Sequence, residues 1–169
     1  LLSLLKDKQA EINPLGTLTR EDWLDIIRII EESNELNPAK DKRILPYILE
    51  FYKYFKQEES KIVFPQEHLS ALYYQYGMSC KNKFVRNWFS FNLNLNNILT
   101  ALTCRKYNWD IKSALVGDNI VVDTIKMNPN AKDFNLKSEV EYIDKLINIS
   151  EITNLLEKEK RIDLLKWEW

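Results

Sequence analysis

Between Phe84 and Leu102 the apolar side chains Phe84, Trp88, Phe91, Leu95, Ile98 and Leu102 step by four, three, four, three and four residues. That spacing places them on one face of a helix. The same stretch also contains Phe89-Ser90-Phe91-Asn92-Leu93-Asn94-Leu95-Asn96, an alternation with the period of a half-buried strand. The alternation stops at Asn96-Asn97, whereas the helical spacing starts earlier and continues further. A helix is therefore expected, with a buried stripe on one side and a crowd of amides beside it, ending near Arg105-Lys106.

The rest of the chain reads as further helices. Thr19 offers a capping oxygen, and Glu21 and Asp22 supply first-turn acids before Trp23, Ile26, Ile27 and Ile30, which predicts a helix over 20–33. Ile44, Ile48, Phe51, Tyr52 and Phe55 recur at helical spacing, with Pro46 tolerated in a first turn, and this helix should end in the charged stretch Lys56 to Lys61. Pro65 suits the opening of a helix that buries Leu69, Leu72, Tyr73 and Tyr76 and closes at Gly77. Two short helices are predicted over 110–116, closed by Gly117, and over 118–127, closed by Asn128-Pro129. Ser138-Glu139-Val140-Glu141 has the form of a capping box, with Val140, Ile143 and Ile147 inward. Ser150 is expected to cap a last helix carrying Ile152, Leu155, Leu156, Ile162 and Leu165, with the charged run 157–161 as its wet side. The expected fold is all-α, an irregular multi-helix bundle forming one domain over 1–169, with a hinge near 128–135.

Composition narrows the functional classes. The 169 residues are 45% hydrophobic, enough for a buried core. Lys and Arg number 24 against 25 Asp and Glu, so no global field favours nucleic acid or an anionic membrane, and a charged partner must be met by a local patch. Polar residues such as Arg28, Lys53 and Asn94 interrupt every apolar run short of the roughly 20 residues a bilayer crossing requires. Cys80 and Cys104 form no CxxC pair, which fits a reducing, cytoplasmic setting. The first residue is Leu1, so the chain is expected to be a piece of a longer protein.

Few residues carry chemistry. His68 is the sole histidine and has no second ligand at metal spacing, so no metal site is expected. No GxxxxGK[ST] loop and no GxGxxG is present, and no cofactor is implied. Cys104 would act as a nucleophile only if a base approached from elsewhere, and a small packed thiol is the simpler reading. Glu31-Glu32, Glu58-Glu59 and Glu157 with Glu159 lie in charge-rich stretches and read as solvated faces. The clusters Tyr73-Tyr74-Tyr76 and Phe51-Tyr52-Tyr54-Phe55 lack interleaved basic residues, so core packing accounts for them before base stacking does.

The amides remain. Asn and Thr compete with the helix for their own backbone groups, so several of them in mid-helix suggest specific hydrogen bonds. Asn92 and Asn96 lie one turn apart, followed by Thr100 and Thr103 in register, with Arg105 just beyond. These bonds go either to neighbouring helices or to a partner. The candidate partner-binding set is Asn92, Asn96, Asn97, Arg105 and Lys106.

The run NLNLNNILTALTCRK from Asn92 to Lys106, the following Tyr107-Asn108-Trp109-Asp110-Ile111 and the later LLEKEKRIDLLKW resemble an uncharacterised bacterial family encoded among V-type ATPase genes. That family in turn looks like a divergent relative of the V-type ATPase central-stalk adaptor, which bacterial and eukaryotic enzymes share. Asn97, Ile98 and Arg105 stand where the adaptor helix carries Asn, an aliphatic residue and Arg. The resemblance implies a non-catalytic adaptor or assembly subunit of a rotary, ion-translocating ATPase. Its partners would be the rotor shaft and the proteolipid ring, with the protein peripheral to the inner face of the membrane. The chain is too short for the threefold-repeated helical architecture of a full adaptor. A general helical interaction domain unconnected to the pump is the alternative, and a Cys-dependent enzyme built on Cys104 with Arg105 or a carboxylate pair is the third reading.

Overall fold

The computed structural model describes residues 18–32, 43, 45–58 and 65–169. Among these residues every regular element is a helix. The chain divides between residues 60 and 61 into two compact units.

In the first unit, α1 spans Arg20–Glu32 and α2 spans Pro46–Glu58. The Thr19 hydroxyl accepts the Asp22 N–H at 3.1 Å, and the Asp22 carboxylate accepts the Thr19 N–H at 2.9 Å, the reciprocal cap that starts α1. Pro46 opens α2, where its missing N–H costs nothing. Ile26 and Leu49 form the buried pair of this unit, with Trp23 and Tyr52 packed around them. Arg43 bridges Asp22 at 3.1 Å and Asp25 at 2.8 Å. Ser33, Ile44 and residues 59–61, and the side chains of Ile30, Glu31, Glu32, Phe55, Lys56 and Glu58, lie outside the described residues.

The second unit is built on one long helix. α3 (Pro65–Met78) leads through a short turn into α4 (Lys83–Tyr107), and α5 (Ile111–Ala114), α6 (Ile120–Met127), α7 (Ile143–Ser150) and α8 (Leu155–Glu168) follow. The helical reading of 84–102 holds over the strand-like alternation. Asn82 starts α4 by accepting the N–H groups of Phe84 and Val85, and Asn108 ends it in the left-handed conformation at φ 55°. The buried arc is wider than the expected stripe, because Leu93, Asn97, Ala101 and Cys104 join Phe91, Leu95, Ile98 and Leu102 inside. Val121, Val122 and Ile125 of α6, Leu146 of α7 and Ile162 and Leu165 of α8 complete the core. Phe84 is the exception at 68% exposed, since it sits in the first turn, beyond the reach of these helices.

Several expected details change. Leu72 is buried as expected, but Tyr73 and Tyr76, expected beside it on the inward face of α3, are exposed. Gly77 lies one residue before the end of α3 at Met78, next to where it was expected to close the helix. It is buried where α3 passes α4, and a Cβ there would fall inside the Phe89 ring. Gly117 does serve a turn: it adopts φ 77°. The capping-box sequence at Ser138 does not nucleate a helix. Residues 137–142 form successive turns, with Val140 N–H to Leu136 O at 2.8 Å and Ile143 N–H to Val140 O at 3.1 Å, and α7 begins only at Ile143. Ser150 ends α7 instead of capping α8, whose cap is Asn154, and Leu155 and Leu156 are exposed because the inward register of α8 runs through Ile162 and Leu165.

Phe134 and the adjoining Leu136 are fully buried, and the Asn135 amide donates to the Asn128 side chain at 2.8 Å.

Candidate functional site

At about 100° per residue, Asn92, Asn96 and Lys106 fall on one side of α4 and Asn97 and Arg105 on the other. The five residues expected to meet a partner therefore divide into two groups with different jobs.

The inward group is committed to the fold. Asn97 is 2% exposed. Its Nδ2 donates to Val116 O at 2.8 Å and its Oδ1 accepts the Val116 N–H at 2.8 Å, so one side chain completes both backbone groups of a loop residue. Asn94 lies beside it and accepts from the Asn119 amide at 3.0 Å, while Asn119 also caps α6 through the Val122 N–H. The two amides thereby fasten the α5–α6 connection to α4. Arg105 donates to the carbonyls of Ala131 at 2.6 Å and Lys132 at 3.0 Å, and its guanidinium lies 4.5 Å from the centroid of the Phe134 ring. These bonds anchor the 131–134 turn.

The outward group faces α3. Asn92 donates Nδ2 to Trp88 O at 2.8 Å within its own helix, and Asn96 donates Nδ2 to the Tyr74 hydroxyl at 2.6 Å. Tyr73, Tyr74, Trp88, Phe89 and Asn92 line a pocket of about 150 Å³ between α3 and α4. The Tyr73 and Phe89 rings stand 5.1 Å apart at 53°, and Tyr74 and Phe89 stand 6.3 Å apart at 77°. Burial pushes the Tyr74 phenol above its ordinary value, with the hydrogen bond from Asn96 working against it, so the hydroxyl is neutral at physiological pH. The expectation that these tyrosines merely pack in the core missed this pocket. The available signal was Gly77 amid aromatics, which lets Phe89 approach α3.

Lys106 is exposed at the end of α4, its ammonium 5.7 Å from the Tyr107 ring. Tyr107 stacks on Trp109 at 5.2 Å, and both rings are more than half exposed. On α8, Leu156, Leu164 and Trp167 face outward, with Trp167 at 88% exposed. Between α7 and α8 runs a groove of about 450 Å³ whose apolar lining includes Ile149, Ile152 and Leu165. Its rim carries the ion pairs Lys145–Glu168 at 2.6 Å and Arg161–Glu157 at 2.7 Å.

The residues weighed for catalysis are placed differently. Burial, and secondarily the charge of Asp110, pushes the Cys104 thiol up, the direction opposite to nucleophile activation. His68 is half-buried on α3. Of the carboxylate pairs, Glu157 is taken up by Arg161, and Glu159 is exposed. Among the described residues no group of three or more His, Cys, Asp or Glu is placed to hold a metal ion, and no helix is long and apolar enough to cross a membrane.

Set against curated proteins and solved structures, the chain finds no significant match in either. One family model matches residues 1–169, its whole length, and the chain belongs to that family, described as "Protein of unknown function (DUF2764)".

Proposed function

We propose that this protein is a non-catalytic adaptor or assembly subunit of a V-type rotary ATPase, linking the rotor shaft to the proteolipid ring at the inner face of the membrane. The reading starts from the resemblance carried by Asn92 to Lys106 and by the α8 sequence. The observation that carries it further is the exposure of large apolar side chains on α8 and at the end of α4. Trp167, Leu156, Leu164, Tyr107 and Trp109 are each more than half exposed. Exposed aromatic side chains of this kind are the residues that most often anchor protein interfaces. The raised thiol of Cys104 gives the Cys-dependent reading no support.

A second reading, a helical interaction domain unconnected to the pump, is favoured by a specific observation. Asn97 and Arg105, two of the residues on which the adaptor resemblance rests, are engaged by Val116, Ala131 and Lys132 inside the fold. The experiment is affinity capture of the full-length protein from detergent-solubilised native membranes, with mass spectrometry of what accompanies it. Recovery of rotor-shaft and proteolipid subunits, reduced at least about tenfold by Trp167→Ala with Trp109→Ala, is the expected result. Clean isolation without pump subunits would overturn the adaptor reading in favour of the second one.

A further inference from the structure

We propose that the turn between α3 and α4 docks on an anionic lipid bilayer, with Phe84 entering the headgroup layer and Lys81 and Lys83 meeting the phosphates. From His68 to Trp109 the chain has no Asp or Glu, although it holds 25 of them, and Lys81, Lys83 and Arg86 stand together at the turn. A chain that is nearly neutral as a whole therefore carries a basic end. Trp169 leans on Trp88 at 5.9 Å, and Glu168, next to it in sequence, is already neutralised by Lys145 at 2.6 Å.

The turn has a fixed shape. The Cys80 N–H donates to Gly77 O at 3.2 Å, and the Arg86 guanidinium donates to Cys80 O at 2.9 Å and to Lys81 O at 2.8 Å. The Asn82 side chain occupies the N–H groups of Phe84 and Val85, so what the turn offers outward is side chains. Lys81 and Lys83 are exposed, and Phe84 is 68% exposed. Cα–Cβ bonds tilt towards a helix's N-terminus, which carries the side chains of Lys83 and Phe84 past the end of α4. Stacking on Trp88 at 6.3 Å and 12° fixes the Phe84 ring without covering it. Lysines at this end oppose the helix dipole, and α4 has no acid in its first turn to compensate. Negative charge outside the protein relieves that opposition.

A bilayer suits this combination better than an acidic protein does. A protruding ring needs a matching pocket in a protein, whereas fluid lipid closes round it. An apolar ring flanked by cations is the composition of elements that lie at a membrane interface, and lysine stems rest on apolar surface while their ammonium groups stay among the phosphates. The reading needs no pump subunit, and synthetic vesicles contain none, so its outcome is separate from that of the capture experiment.

The test is co-sedimentation of the full-length protein with vesicles of phosphatidylcholine alone and of phosphatidylcholine mixed equally with phosphatidylglycerol. Binding to the anionic vesicles is expected with an apparent Kd on the order of 1 mM accessible lipid, and binding to the neutral ones should be at least about tenfold weaker. Each lysine near an anionic surface is worth about fivefold, so Lys81→Gln with Lys83→Gln should weaken anionic binding by at least about tenfold. Phe84→Ala should weaken it about tenfold through the lost apolar contact. Both variants change exposed side chains and should keep the helical circular dichroism. Salt at about 1 M, where the screening length falls to about 3 Å, should reduce the wild type towards the lysine variant. Lys112→Gln with Lys160→Gln, the same loss of charge elsewhere, should have little effect. Equal binding to the two vesicle compositions, an equal loss in the Lys112 and Lys160 variant, indifference to Phe84→Ala, or binding of polyglutamate without binding of anionic vesicles would overturn the proposal.

Discussion

Replacing Asn97 gives two variants with separable outcomes. Asn97→Leu keeps the branched outline but removes both 2.8 Å bonds to Val116, stranding its N–H and its carbonyl. Each lost bond is worth about 1 kcal/mol net, and each backbone group left without a partner adds roughly another, so the cost should be about 2–4 kcal/mol. A loss of about 3 kcal/mol corresponds to a fall of roughly 10 °C in Tm. Asn97→Asp retains the shape and changes the proton inventory. When neutral, the new carboxyl can donate to Val116 O and accept from Val116 N–H, replacing the amide. Once ionised it loses the donor, faces a carbonyl oxygen and carries a charge into a site 2% exposed. Both effects raise its folded-state pKa above the unfolded value of about 3.9. The sign follows: stability is retained below about pH 3.9 and is lost as pH rises, by about 1.4 kcal/mol per unit until the folded pKa is reached. Urea unfolding followed at 222 nm, with wild type and variant measured at pH 4 and at pH 7, isolates this term. The aspartate variant should lie within about 1 kcal/mol of wild type at pH 4 and fall about 2–4 kcal/mol below it at pH 7. A deficit of equal size at both pH values, or a leucine variant less than about 1 kcal/mol down, would refute the assignment of Asn97 as the clamp on the Val116 loop.

Four further outcomes are expected. Gly77→Ala should destabilise by about 1–3 kcal/mol because the added methyl meets the Phe89 ring, and Phe89→Leu should restore much of that loss; thermal melts of the two single variants and the double decide it. Arg105→Met should cost about 2 kcal/mol through the loss of two charge-assisted bonds, with faster amide exchange confined at first to residues 131–136. In native protein a thiol reagent should label half-buried Cys80 before buried, up-shifted Cys104; comparable rates at neutral pH would contradict the packing described. Asp22, held low by its bonds from Thr19 and then Arg43, and Asp25, held low by Arg43 and then Arg28, favour the folded first unit above the unfolded carboxylate pKa. That contribution is lost as pH falls through the depressed values, so Arg43→Ala should shrink the acid sensitivity of α1 helicity.

The existence and type of the elements were legible because each long segment repeats its apolar residues at a helical period. α4 was the clearest case: its helical spacing outlasted the strand-like alternation. Boundaries governed by a single hydrogen bond were less legible. Ser138 has the form of a cap, yet the turn bonds from Leu136 to Val140 and from Val140 to Ile143 hold the chain away from the helical path until Ile143. Asn154 and Ser150 are both competent caps by type, and only the inward register of Ile162 and Leu165 decides between them. The amides were legible as specific, but their direction was not. Asn92 and Asn97 are the same residue type five positions apart, and only the bulk packed on each side of α4 sends one towards α3 and the other onto Val116. The α3–α4 pocket was hidden for a related reason: Gly77 reads as a stop signal in a sequence, whereas its effect here is to admit a ring.

The core of the second unit also sets an order of events during synthesis. Its members run from Phe91 to Leu165, and seven of them lie after Leu136. When α4 leaves the ribosome, α3 is available for one side, but the chain that covers the wider, more apolar arc has yet to be made. At about 5–20 residues per second, the interval between completion of Tyr107 and of Leu165 is roughly 3–12 s. Until those residues are made, the 25-residue α4 lacks the helices that cover Leu95, Ile98 and Leu102. Production of this protein should therefore respond more to chaperone supply and to translation rate across residues 107–165 than the modest size of its core suggests.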